Sequence, residues 1–158
     1  MFAKVIQLPY LILSLNISDK GCKGEESLDK ISKGQAKGCN PLALAFLGDA
    51  VYGLLVRQRI VLESSISIRK MHSASVEKVR ASYQAARVKA IEPLLSEEEA
   101  DILRRGRNAH SHTPKSSSVS EYRYATGLEA LFGYLSLIGE EVRIEELFEI
   151  VYNNDTVC

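Results

Sequence analysis

Two acidic residues stand alone inside apolar segments of the chain. Asp49 is the one charge in segment 42–56, and Glu129 is the one charge in segment 124–135. A carboxylate on an apolar helix loses hydration on folding. This costs several kcal/mol unless a cation, a metal or hydrogen-bond donors replace the water. Lone acids of this kind indicate a chemical use rather than a packing role.

Small residues surround both acids at helical spacing. They are Ala45, Gly48 and Gly53 near Asp49, and Ala125, Ala130 and Gly133 near Glu129. Side chains three or four positions apart share one face of a helix, so both helices have little bulk near the acid. We therefore expect the helices to cross closely and to bring the carboxylates together in a poorly solvated place. A hard divalent cation with oxygen ligands would resolve such a pair, and spacing alone equally allows internal ion pairs with two arginines.

The same segments resemble a known family. Residues 45–51, Ala-Phe-Leu-Gly-Asp-Ala-Val, resemble the F-L-G-D-A signature of the ribonuclease III catalytic domain, and residues 128–133, Leu-Glu-Ala-Leu-Phe-Gly, resemble its second acidic motif. Segments similar to one branch of the family, Mini-ribonuclease III, are 104–109, 113–115 and 122–126. The resemblance covers roughly residues 40–152, and its motifs stand in the family's order.

This resemblance implies an all-α, ribonuclease III-like endonuclease domain that forms a homodimer and cleaves double-stranded RNA. It assigns Mg²⁺ to Asp49 and Glu129, with Asp49 as the catalytic residue, and it implies products with a 5′-phosphate. It also implies maturation of precursor 23S ribosomal RNA during ribosome biogenesis, with a large-subunit ribosomal protein as a partner. Typical members carry further acids where this chain has Ala45 and Thr126, and Mini-ribonuclease III is similarly sparse. The sparse set argues against a second tightly held metal.

The helix predicted to begin after Ser96, where Ser96 and Glu99 form a capping-box pattern, ends in a cluster of cations, and a loop with Lys115 follows it. The residues expected to contact RNA are Arg104, Arg105, Arg107, Asn108, Lys115 and Arg123. Guanidinium groups match phosphate geometry, so we expect these residues to contact the RNA backbone without reading bases. The alternative is that the cations only complement the negative end of the helix.

The overall charge limits how RNA is bound. The 158 residues contain 20 lysines and arginines and 20 acids, with no net charge at pH 7. This balance argues against a generally basic nucleic-acid binder, so RNA affinity must be local. We expect no double-stranded RNA-binding domain after the catalytic domain. RNA binding is therefore expected to depend on the dimer groove and its loops.

The chain is divided into an N-terminal extension and linker at 1–39, the catalytic domain at 40–153 and a tail at 154–158. The apolar run at the start is interrupted by Lys4, Gln7 and Pro9, and it is shorter than the ~20 residues that a membrane span needs. Three cysteines without close spacing suit a reducing compartment, so a cytoplasmic protein is expected. We also expect that removing residues 1–38 leaves a folded, active dimer.

Beyond Asn40 the periodicity of apolar residues is helical. Asn40 and Pro41 favour a helix start, and Pro93 requires that the preceding helix stop by Glu92. That preceding helix is expected to bury one face, which is formed by Val76, Val79, Tyr83, Ala86 and Ala90. The helices that carry the two acids are apolar on nearly every side, which predicts that a symmetric partner covers part of them.

Two other function classes remain open from the sequence. One is a non-catalytic protein that binds structured RNA and has kept the fold. The other is a helical interaction module whose acids form internal salt bridges. The first is disfavoured because a pure binder has no reason to hold two unneutralised carboxylates near a polyanion.

Overall fold

A computed structural model describes residues 30–109 and 118–153, and these residues form α-helices without a strand. The helices are α1 Lys33–Gly38, α2 Pro41–Glu63, α3 Ile68–Val79, α4 Ala81–Ile91, α5 Glu97–Asn108, α6 Val119–Ile138 and α7 Glu141–Asn153, with a 3-10 turn at Glu92–Leu94 between α4 and α5. The all-α prediction is confirmed. Among the described helices, none is both long and apolar enough to cross a membrane.

Helix α6 lies at the centre of the domain. It packs against α2, α5 and α4, and its side chains Leu128, Leu131 and Phe132 are fully buried. Tyr52 of α2 meets the ring of Phe132 edge to face, with ring centroids 5.7 Å apart. The apolar surroundings of Glu129 are therefore covered within one subunit, and coverage by a symmetric partner stays a prediction for the rest of the two helices.

Local sequence sets most helix ends. The Asn40 side chain accepts from Leu42 N, and Ser96 forms a reciprocal capping box, as predicted. Helix α6 begins after a capping box at Ser118. It ends at Gly139, whose φ of 73° lies in the left-handed region.

Helices α3 and α4 are separated at Arg80, whose backbone is extended with ψ 149°. The sequence interpretation placed one continuous helical face across this point, from Val76 to Ala90, and that was wrong. Val76 is exposed, and Ser75 is buried in its place. Two side chains from other positions bind the carbonyls at the end of α3: Tyr52 Oη donates to Lys78 O at 3.3 Å, and Gln84 Nε2 donates to Val79 O at 2.9 Å. These hydrogen bonds, which sequence periodicity does not report, fix the end of α3 before Arg80.

Residues 30–39 belong to the folded domain, although the sequence interpretation assigned them to a linker. Ile31 N donates to Leu137 O at 3.1 Å, and Ala36 of α1 is fully buried. Arg105 on α5 donates to the carbonyls of Lys37 at 2.7 Å and Cys39 at 3.2 Å. The polar composition of α1 conceals this docking, because most of its contacts are hydrogen bonds and ion pairs rather than apolar burial. Residues 1–29 and 154–158, which complete the predicted extension and tail, lie outside the described residues.

Candidate active site

Helices α2 and α6 cross in backbone contact at two glycines. A Cβ added at Gly48 would lie 2.7 Å from Gly133 N and 2.6 Å from the carbonyl carbon of Glu129. A Cβ at Gly133 would lie 2.8 Å from the carbonyl carbon of Leu44. Real side chains do not approach backbone atoms this closely, so only glycine fits at either position. The close crossing predicted from the small residues is present.

The crossing brings the two acids close enough to affect each other. Burial, and to a smaller extent the negative charge of Asp49, raise the pKa of the Glu129 carboxyl from 4.5 to about 7. A hydrogen bond from Gln84 acts in the opposite direction and lowers the Glu129 pKa. The charge of Asp49 therefore reaches the Glu129 carboxyl.

The two acids differ in solvent exposure. Glu129 is half-buried under α4, whereas Asp49 is exposed. The expectation that both carboxylates converge in a poorly solvated place is therefore wrong for Asp49. Asp49 follows Gly48 on the outer side of the helix crossing, because successive residues of a helix point about 100° apart. The pair has one anchored acid and one acid that faces solvent.

Gln84 is a site residue that sequence reasoning missed. Its side chain is 0% exposed, and its amide lies between the end of α3 and Glu129. The predicted apolar face of its helix ran through Tyr83 and Ala86. The fully buried positions of α4 are instead Gln84, Val88 and Ile91, at i, i+4 and i+7. The spacing of Gln84 with Val88 and Ile91 is visible in the sequence, and a polar residue at a buried position of that face could have marked Gln84 as a site residue.

The arrangement fits a divalent cation. Neither Asp49 nor Glu129 makes an ion pair among the described residues, so the alternative of two internal arginine pairs does not hold there. The Gln84 side chain contacts Glu129 through Nε2, and its Oε1 atom is buried without a hydrogen-bond donor among the described residues, so it can accept from a water in the shell of an ion. No group of three or more His, Cys, Asp or Glu side chains gathers around a point in the described part of the chain. The two carboxylates would therefore share a cation with water or RNA phosphate oxygens.

The predicted RNA-binding residues are divided between two places. Arg105 uses its guanidinium on the carbonyls of Lys37 and Cys39, so it holds α1 against α5. Arg104 is exposed and pairs with Asp101 one turn earlier, at 2.5 Å. These contacts give both arginines partners within the domain. Lys115 lies outside the described residues.

A second group of the predicted residues forms one surface. Arg107, Asn108 and Arg123 line a shallow pocket between the end of α5 and the start of α6, together with Val119, Ser120 and Tyr124. The Arg107 guanidinium lies over the Tyr124 ring, 5.3 Å from its centroid. We call this group, Arg107, Asn108, Arg123 and Tyr124, the α5–α6 pocket. It combines two cations with an aromatic ring on one exposed surface.

Both acids lie in a segment that is similar to a known protein family. The sequence profile described as the ribonuclease III domain matches residues 42–140, which include both Asp49 and Glu129. The chain belongs to the ribonuclease III family. A curated Mini-ribonuclease 3 from a Thermoanaerobacter species is 48% identical over 79% of this chain and 89% of its own length. A Mini-ribonuclease 3 from Clostridium tetani is 38% identical over 79% of this chain and 84% of its own length.

A solved structure supports the same assignment. The crystal structure of a protein from Fusobacterium nucleatum superposes with a TM-score of 0.67 at 35% identity, and it covers 73% of this chain and 93% of its own. The resemblance to Mini-ribonuclease III is therefore confirmed. This ribonuclease III family member is an endoribonuclease, and the helix crossing at Gly48 and Gly133 positions its two acidic motifs.

Proposed function

We propose that this endoribonuclease hydrolyses double-stranded RNA with Mg²⁺ held by Asp49 and Glu129. The observation that carries this proposal is the glycine crossing, which brings the half-buried Glu129 close enough to Asp49 for the Asp49 charge to raise the Glu129 pKa. Two carboxylates that repel each other favour a divalent cation over a proton when one is available. Glu129 is the anchored ligand, and the exposed Asp49 lies where an RNA phosphate can approach.

Bound Mg²⁺ would supply polarisation of a phosphodiester oxygen and a lowered pKa for a water that attacks in line. The residues of the chain act around that ion. Gln84 donates a hydrogen bond to Glu129 Oε1, and Asp49 is exposed to solvent. No protein nucleophile takes part in this scheme, and the products carry a 5′-phosphate and a 3′-hydroxyl.

We further propose that the enzyme acts as a homodimer through α2. The exposed residues along one face of α2 are Ala43, Phe46, Ala50, Leu54, Arg57 and Val61, at spacings of three and four. Phe46 is 84% exposed, Leu54 56% and Val61 62%. An exposed face of this kind, apolar except for Arg57, favours a protein partner when it lies on an enzyme domain. A symmetric copy would cover it and place the two acidic sites beside one shared groove.

The RNA is proposed to meet the α5–α6 pocket. Arg107 and Arg123 provide charge for phosphates. Arg107 contacts Tyr124, which is neutral, whereas Arg104 pairs with the acid Asp101 and Arg105 holds α1. Lys115 remains a proposed contact from sequence alone. We propose precursor 23S ribosomal RNA as the substrate and a large-subunit ribosomal protein as a partner, in the cytoplasm, on the strength of the family resemblance.

The direct test is cleavage of long double-stranded RNA with and without Mg²⁺. We expect wild-type protein to cleave only with Mg²⁺, and Asp49→Asn to bind RNA without cleaving it, because the amide keeps the shape and removes the charge. Binding without cleavage by wild-type protein would favour the non-catalytic alternative. Normal cleavage by Asp49→Asn would refute the metal assignment.

The dimer has its own test. Leu54→Glu places a charge in the α2 face, and we expect sedimentation to show a monomer. The matched control is Val142→Glu on α7, where the residue is 72% exposed and lies outside that face. A dimer that survives Leu54→Glu, or one lost equally with Val142→Glu, would contradict the α2 interface.

A further inference from the structure

Gln84 joins three helices at the acidic site. It lies on α4, its Nε2 donates to Val79 O at the end of α3 over 2.9 Å, and the same nitrogen donates to Glu129 Oε1 on α6 over 3.2 Å. We propose that Gln84 is a positioning residue, which fixes the Glu129 carboxylate in the orientation that binds the divalent cation. This inference rests on the proposed function, because it concerns the same cation.

The orientation of the amide follows from its neighbours. Both groups that face Nε2, a backbone carbonyl and a carboxylate, are hydrogen-bond acceptors, so the nitrogen and not the oxygen must point toward them. The amide nitrogen has two hydrogens, and each has a partner. The bond to Val79 O also satisfies a carbonyl at a helix end, where no partner exists within the helix. Tyr52 Oη holds the adjacent Lys78 O at 3.3 Å, so the end of α3 is fixed by two buried side chains.

A neutral donor suits a metal ligand better than a cation would. A glutamate side chain has three rotatable bonds, and ordering it costs free energy that each bound ion would otherwise have to supply. The hydrogen bond from Gln84 Nε2 to Glu129 Oε1 orders the Glu129 side chain before the ion binds, and it leaves Glu129 Oε2 available to the ion. An arginine at this place would compete with the ion for the same negative charge, whereas the amide leaves that charge in place. Mutation of a residue that hydrogen-bonds a metal ligand typically weakens metal affinity by ~10- to 100-fold.

The amide oxygen supports the same role. Gln84 Oε1 is buried and has no donor among the described residues. Buried acceptors in proteins generally have a partner, which is often an ordered water. A water in the coordination shell of the ion is a suitable donor here, because Glu129 is the ligand next to it.

The experiment measures binding of Mn²⁺ alone to the full chain by electron paramagnetic resonance, without RNA. The variant is Gln84→Met, which keeps side-chain length and removes both hydrogen bonds. The control is Tyr83→Phe, the adjacent buried residue on α4, whose hydroxyl accepts from Lys78 Nζ at 2.8 Å and donates to Tyr152 O at 3.2 Å. Both substitutions remove buried hydrogen bonds. Only Gln84→Met removes a hydrogen bond to an acidic residue, Glu129. Melting temperatures are measured in parallel.

We expect Gln84→Met to weaken Mn²⁺ binding roughly 10- to 100-fold. Tyr83→Phe should lower the melting temperature and change Mn²⁺ affinity less than about twofold. If Gln84→Met does not fold, Gln84→Asn replaces it, because this variant keeps a buried amide that is one methylene too short to reach both acceptors. Unchanged Mn²⁺ affinity in the folded variant, or equal weakening by Tyr83→Phe, would overturn the role of Gln84 and leave the metal assignment intact. Absence of Mn²⁺ binding by wild-type protein, or full binding by Asp49→Asn, would instead overturn the proposed function and this inference with it.

Discussion

Replacing Glu129 with glutamine should stabilise the metal-free protein at neutral and alkaline pH. The Glu129 carboxyl has a pKa of about 7 in the folded protein, raised from 4.5 by burial and by the Asp49 charge. A carboxyl whose pKa is higher in the folded state binds more protons there than in the unfolded chain. The free energy of unfolding therefore falls as pH rises from about 4.5 to about 7, and the full cost remains above pH 7.

The size of this cost follows from the two pKa values. Their difference corresponds to roughly 3 kcal/mol, which is an upper bound because the carboxyl is only half-buried. Glutamine cannot ionise, and its carbonyl oxygen can still accept from Gln84 Nε2. We expect Glu129→Gln to raise the free energy of unfolding at pH 8 by about 1–3 kcal/mol, or the melting temperature by about 4–12 °C, with little change at pH 4.

The assay is thermal and denaturant unfolding at pH 4 to 8 in the presence of a chelator. Glu97→Gln is the control, because it removes the same charge from an exposed position and should change stability at pH 8 by no more than about 0.5 kcal/mol. Added Mg²⁺ should stabilise the wild-type protein and not Glu129→Gln. If Glu129→Gln is no more stable than wild type at pH 8, or if both proteins show the same pH dependence, the burial of an ionised Glu129 is refuted.

Three further predictions test other parts of the structure. Gly48→Ala should lower the free energy of unfolding by about 3 kcal/mol or more, measured by denaturant titration, since its Cβ would meet the backbone of α6. Changing Arg107 and Arg123 together to alanine should weaken binding to all duplexes alike and reduce the salt dependence of affinity, as measured by titration at several salt concentrations; an unchanged salt slope would exclude the α5–α6 pocket as a phosphate contact. A chain that begins at Cys39 should melt lower than one that begins at Lys30, because it lacks α1; equal melting temperatures would show that α1 is dispensable, as the sequence first suggested.

Local patterns were sufficient for the helices whose ends depend on their own residues. Asn40 with Pro41, and Ser96 with Glu99, form caps from side chains within three positions of each other, so their sequence spacing predicts them. The separation of α3 and α4 at Arg80 was not predictable in this way. Tyr52 and Gln84 fix the end of α3 from other positions in the chain. Docking of α1 was missed for the same reason, because its main partner, Arg105, is more than sixty residues away.

The sequence by itself determined the two acids, the small residues beside them and the family to which they belong. These properties are local, because a lone carboxylate in an apolar segment and a glycine one turn away can be recognised without knowledge of the fold. Only the tertiary structure decided that Glu129 is half-buried while Asp49 faces solvent, and that Gln84 holds Glu129. Burial and hydrogen bonding between α4 and α6 depend on how the helices are rotated about their axes. A shift of one residue turns a helix by about 100°, which is enough to exchange Gln84 with Tyr83 at the site.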